Sequence, residues 1–363
     1  MMRCLLSFVT IVATVGLAQA NWPIFRGNAE QTGIAAGSAL PDPLVIRWKI
    51  KLQDSVEGTA AIVGDTVYVG SFDENLYALD LANGKEKWKY KAGAIKAPIS
   101  VENGAVYVGN EDGMFHCVDA KTGAKRWTFE AGGEITSGAN FANGNVLFGC
   151  WDSTLYCLTK EGKLAWKFKT EGPVNGTPAI AGNRTFVAGC DSHLHVIDIK
   201  KGKETAKIDL GGQAGATAAI SGNRLYVGTM GNQVLALDLV KNDIAWSFEP
   251  KRSQPFYSSA AVTDKLVLVG CRNKFLHALD RAKGTEVWKF PTMGRVDSSP
   301  VVVGKRVFVG SSDGNLYVID LDKGTELKRY PLGRSITASP AVANNCLVIG
   351  TGDGFVYCLG KKD

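Results

Sequence analysis

The 363-residue chain has little proline (12) and only four histidines. Beyond residue 20, no stretch approaches the 18 consecutive apolar residues of a membrane-spanning helix, so the rest of the chain is expected to be soluble. No two cysteines are adjacent and none are spaced C-x-x-C, which removes the commonest zinc and redox signatures. Neither H-E-x-x-H nor a P-loop occurs. Charge of one sign is also missing in bulk. The net charge of +6 becomes +5 without Arg3, and this mild, scattered excess gives no reason to expect a nucleic-acid surface. At 45% hydrophobic and 21% charged, the chain is not disordered. Its surplus is glycine, 42 of 363 residues, against a usual share of about 7%. With proline scarce, that glycine belongs to regular turns.

Residues 1–20 read as a secretory signal. Arg3 supplies the positive start, Leu5 to Leu17 the apolar stretch, and Ala18-Gln19-Ala20 the small residues before cleavage. The nearby Cys4 lies at the wrong end for a lipoprotein cleavage site, so no lipid anchor is expected and the localisation reads as periplasmic or secreted. Seven cysteines remain after cleavage, an odd and scattered set better explained as small strand residues than as a disulfide framework.

One phrase recurs eight times, for example VYVGSFDENLYALDLANGKEKWKY at 67–90 and VFVGSSDGNLYVIDLDKGTELKRY at 307–330. Its aligned glycines are Gly70, Gly109, Gly149, Gly189, Gly228, Gly270, Gly310 and Gly350, spaced 39, 40, 40, 39, 42, 40 and 40 residues apart. Each copy alternates β-branched and aromatic residues between Gly, Asn and Asp punctuation, the pattern of four short strands. A turn slot holds Gly84, Gly123, Gly162, Gly202, Asn242, Gly284 and Gly324, which predicts a backbone position with positive φ. Eight four-stranded antiparallel units of this period predict an all-β, eight-bladed β-propeller. The last copy ends without a fourth strand. Residues 44–52 supply one, because Trp48 stands 40 residues before Trp88. The expected organisation is a signal peptide at 1–20, an N-terminal extension at 21–43, and a propeller at 44–363 closed by its first strand.

The run Ala78-Leu79-Asp80-Leu81-Ala82-Asn83-Gly84-Lys85-Glu86-Lys87-Trp88 resembles the A-x-D-x-x-x-G-K-x-x-W motif of quinoprotein (PQQ-like) propeller repeats, with partial copies around Trp127, Trp166, Trp246 and Trp288. The resemblance covers about residues 44–360. It implies that Trp48, Trp88, Trp127, Trp166, Trp246 and Trp288 dock neighbouring blades, a structural role. Lys207 and Lys328 are expected in the corresponding slots of copies four and seven, which predicts two weaker junctions. NWPIFRGNAEQTG at 21–33 resembles the opening W-P-x-F-R-G segment of secreted bacterial PQQ-like repeat proteins. The superfamily implies two functional classes: dehydrogenases that hold pyrroloquinoline quinone and calcium in the funnel, and cofactor-free binding propellers such as the BamB-type component of outer-membrane β-barrel assembly.

The residue before each small-residue inner strand is Glu57, Lys96, Thr136, Asn175, Gly215, Tyr257, Asp297 and Thr337, one per copy and in register. These positions predict one variable, polar ring around the axis, the candidate binding site at the funnel mouth. A calcium set of Glu57, Asn175 and Asp297 can be imagined there, but Asn175 lies three blades from either partner, so one ion would reach all three only in a very narrow channel. His116, His195 and His277 occupy an aromatic slot on separate blades, held elsewhere by Tyr77, Tyr156, Tyr317 and Tyr357. His193 and His195 lack a third ligand. The expectation is a monomeric, non-catalytic propeller without cofactor, metal or catalytic residues, binding a protein partner in the cell envelope. A PQQ-dependent dehydrogenase or quinone-binding protein is the alternative.

Overall fold

The computed structural model describes residues 21–361; the signal sequence expected at 1–20 lies outside them. Among the described residues, 32 strands numbered in chain order form eight four-stranded antiparallel sheets. The first blade is typical, running outward from the axis through β2 (Ala61–Val63), β3 (Thr66–Gly70), β4 (Asn75–Asp80) and β5 (Glu86–Lys91). Inner and middle strands are buried, while the outermost strand alternates exposed and half-buried residues. That difference follows the composition: VYVG and LYALD inside, EKWKYK outside.

The eighth blade is assembled from both ends of the chain. It runs from β30 (Ala341–Ala343) through β31 (Cys346–Gly350) and β32 (Phe355–Gly360) to β1 (Val45–Lys51). Trp48 pairs with Cys358 and Lys51 with Phe355. Closure leaves no blade interface unpaired around the ring.

Blades are joined by a repeated contact. Trp48 Nε1 donates to the Leu81 carbonyl at 2.9 Å, Trp88 to Ala120 at 3.1 Å and Trp166 to Ile199 at 2.7 Å. Trp127, Trp246 and Trp288 do the same to Lys160, Arg281 and Leu321. Each ring lies on the turn glycine of the next blade. A Cβ at Gly84, whose φ is +75°, would stand 2.8 Å from Trp48. Those glycines therefore answer two demands, a left-handed backbone and the thickness of an indole. The slot in the fourth blade holds Ala206, opposite Val196, and not the expected Lys207, which lies one residue further on, opposite His195. A bulge between Val196 and Ile197 sets this register. In the seventh blade the slot does hold Lys328, opposite Val318.

The segment at 21–35 is more than an extension. Its carbonyls thread across the far ends of the inner strands. Trp22, Pro23, Ala29, Glu30, Thr32 and Gly33 accept backbone N–H groups from Ile62, Val101, Ile180, Ile220, Val262 and Val302 respectively. Asn140 adds a side-chain bond to Ala29 from the third blade. The segment is thus a plug tied to seven of the eight blades across one end of the axial channel.

Candidate functional site

Each inner strand starts at the open mouth of the channel and runs toward the plug. All eight first-tier residues, Glu57, Lys96, Thr136, Asn175, Gly215, Tyr257, Asp297 and Thr337, line one axial cavity of about 150 Å3. Phe25 from the plug also lines it. Gly215 leaves its sector to a neighbour: a Cβ there would meet Met230 Cε at 2.6 Å.

Two residues deeper lies a second tier. Gly138 N–H donates to Thr177 Oγ1 (3.0 Å), Thr177 N–H to Thr217 Oγ1 (2.8 Å) and Thr217 N–H to Ser259 Oγ (3.0 Å). The series continues from Ser259 to Ser299 (2.9 Å), Ser299 to Ser339 (2.9 Å) and Ser339 to Thr59 (3.3 Å). It breaks in the second blade, where Pro98 has neither hydroxyl nor N–H, so six of the eight junctions carry such a bond.

The ring's charges are unevenly compensated. Arg272 grips Asp297 with two N–H groups, each 2.9 Å from a carboxylate oxygen, and its guanidinium lies 3.8 Å from the Tyr257 ring centre. Asn175 Nδ2 stands 3.3 Å from Cys190 Sγ, while its Oδ1 has no partner. Burial, together with Glu134, Glu57 and Asp112, pushes the Glu111 carboxyl above its usual range against the pull of Lys96. Glu111, Trp151, Met230 and Arg272 occupy equivalent turns between second and third strands, just above the ring. They escaped the sequence reading because these turns register as punctuation, although the 40-residue repeat marks them as well as the ring. Trp151 is 46% exposed and donates to Thr136 Oγ1 at 3.1 Å.

The set Glu57, Asn175 and Asp297 does not fit calcium, which takes about six to eight oxygen ligands. Asp297 is engaged by Arg272, and among the described residues no group of three or more His, Cys, Asp or Glu is placed to hold a metal ion. Cofactor pockets run about 300–1,000 Å3, above the size of this cavity. The residues present therefore do not fit a quinone–calcium pair.

The histidines serve packing. His195 lies between Asp191 (2.7 Å) and Glu204 (2.6 Å), and His277 contacts Glu286 (2.7 Å) and Asn273. Tyr77 and Tyr317 make the corresponding bonds to Asp73 and Asp313. The letters G-x-S-x-G do occur, at 310–314, but in a strand-to-strand turn where Ser312 Oγ accepts the Arg295 N–H. Cys117, Cys150, Cys157, Cys190, Cys271 and Cys358 are free thiols, and burial pushes those of Cys117 and Cys271 up to about 11.

The profile of the family described as outer membrane protein assembly factor BamB matches residues 46–129, 112–207 and 203–362. The chain belongs to that family. The crystal structure of BamB from Moraxella catarrhalis superposes with a TM-score of 0.75 at 20% identity, covering 88% of this chain and 98% of that one. Quinohemoprotein alcohol dehydrogenase from Comamonas testosteroni superposes with a TM-score of 0.80 at 14% identity, covering 97% and 82%. The computationally designed Ika8 protein gives 0.77 at 18% identity, covering 86% and 98%. At these identities the likeness is one of fold, and the fold is common to the BamB family and to dehydrogenases. No curated protein sequence matches. Among the described residues, no helix is long and apolar enough to cross a membrane.

Proposed function

We propose that this BamB-family chain is a non-catalytic, periplasmic or secreted propeller that docks a protein partner of the cell envelope on the mouth face. Trp151 carries the reading. It is a large aromatic side chain, half exposed at the rim of the variable ring and held in one orientation by Thr136. Exposed, pre-oriented tryptophans are the residues that dominate binding energy at protein interfaces. Met293 is 72% exposed on the loop leading to the Asp297 sector of the same face. Family membership supports a role in outer-membrane protein assembly.

The test is capture from envelope extracts with wild-type protein and Trp151→Ala, both checked for an unchanged melting temperature. A discrete protein retained by the wild type and lost with the variant supports the reading. Equal capture by both overturns it. Titration with pyrroloquinoline quinone and calcium, followed by dye-linked alcohol or sugar oxidation, tests the dehydrogenase alternative. Saturable binding with activity abolished by Asp297→Ala would replace the docking role.

A further inference from the structure

The hydroxyls of Thr59, Thr177, Thr217, Ser259, Ser299 and Ser339 all line the axial cavity, and their residues are only 3–6% exposed. Each oxygen accepts a backbone N–H from the neighbouring blade. Accepting that bond leaves every hydroxyl its own proton. Among the described residues, none of the six donates it to a protein acceptor. An O–H whose oxygen already accepts a bond is polarised and donates more strongly. Six such donors converge from six blades on one axis, a pattern suited to an acceptor-rich ligand.

A second observation gives that ligand its sign. Arg26 in the plug is 1% exposed, and its Nη2 donates to the carbonyls of Ala260 (3.1 Å) and Pro300 (2.6 Å). Those residues directly follow Ser259 and Ser299, so the guanidinium sits in the layer behind the hydroxyls, while Phe25 is the plug residue that lines the cavity itself. Its Nε and Nη1 have no partner, and among the described residues no carboxylate pairs with it. A buried cation without a counter-charge is costly. Gly33 leaves room for it, since a Cβ at that position would stand 1.9 Å from Nη2. On the cavity wall above, Lys96 adds a second cation and Arg272 cancels Asp297, which leaves Glu57 on the wall and Glu111 just above it, near Glu134 and Asp112, as the opposing charges. A volume of 150 Å3 holds about five waters at roughly 30 Å3 each, or one oxyanion and its remaining hydration.

We propose that the hydroxyl ring is an oxyanion site, taking a carboxylate or phosphate group on the propeller axis above the Arg26 plug. The site goes beyond the docking role and does not depend on it, because a small anion can bind whether or not a protein partner does.

Calorimetric titration of the whole mature chain with inorganic phosphate and, separately, with acetate, at fixed ionic strength, tests the site. One-to-one saturable binding is expected, with a matching rise in melting temperature. Binding of phosphate alone assigns a phosphoryl ligand, and binding of acetate as well assigns carboxylates. Ser299→Ala is expected to weaken binding about tenfold, one charge-assisted hydrogen bond's worth. That variant also removes the acceptor of the Ser259 N–H. Two wall substitutions away from the hydroxyls therefore accompany it: Lys96→Met should weaken binding, and Glu57→Gln should tighten it severalfold. Absence of saturable heat with both anions overturns the proposal in favour of a water-filled cavity. Binding left unchanged by all three substitutions overturns it in favour of an adventitious ion only.

Discussion

Trp48, on the first strand of the propeller, lies against Gly84 on the first blade's turn, while its own strand is hydrogen-bonded to the last strand of the chain. One side chain thus secures both the closing sheet and its junction with the next. Trp48→Ala removes a buried indole and is expected to cost about 3–5 kcal/mol, measured as a lowered midpoint in urea unfolding. An unchanged midpoint would separate closure from this contact.

The turn glycines should not be equivalent to Asn242. Gly84→Ala sets a Cβ 2.8 Å from the Trp48 ring at φ +75°, with an expected cost of about 1–3 kcal/mol. Asn242 adopts φ +54° and takes the turn slot after the fourth blade, whose docking position is Ala206. Asn242→Gly is therefore expected to stay within about 0.5 kcal/mol of wild type. Paired melting curves of the two variants decide the matter.

His116 makes the second blade sensitive to acid. Burial lowers its pKa from 6.5 to about 4, with Lys125 adding to the effect against the weaker pull of the Ala92 backbone nearby. Its Nδ1 faces Tyr90 and its Nε2 has no partner. Between pH 6.5 and 4 the unfolded chain binds this proton and the folded chain does not. The full stability is present above pH 6.5 and falls as the pH drops, by about 3 kcal/mol from this group once pH 4 is passed. His116→Tyr should flatten that slope, because a phenol takes up no proton in this range. Urea melts at pH 4.5 and pH 7 provide the comparison.

The plug can be loosened without removing it. Gly33→Ala collides with the Arg26 guanidinium at a backbone φ of +69°. Faster hydrogen exchange is expected at the amides of Ile62, Val101, Ile180, Ile220, Val262 and Val302, with β3 and β4 amides unchanged. Uniform protection in the variant would show that the plug holds by other means.

Much of the architecture was legible because a 40-residue repeat turns constant positions into scaffold and variable ones into a ring. The docking contact is legible three times over. Ala78, Cys117, Cys157, Ala236, Ala278 and Cys358 stand opposite the tryptophans, whereas Val196 and Val318 stand opposite Ala206 and Lys328. The slot of the fourth blade was legible too, since Ala206 follows Gly202 by the same four residues that separate Gly84 from Trp88. The plug stayed hidden for a different reason. It binds through backbone carbonyls, which no side-chain pattern reports, and its partners are spread from Ile62 to Val302. The hydroxyl ring was seen as a set of small residues, since its bonds join residues about 40 apart that become neighbours only after the sheets face one another.

The plug also orders events in time. Residues 22–33 leave the ribosome ahead of every blade, yet the amide that meets Gly33 belongs to Val302, in the seventh. β1 likewise waits for β32. Trp22 and Pro23 can settle on the first two blades as soon as these form, but the Gly33 end of the plug must wait for the seventh.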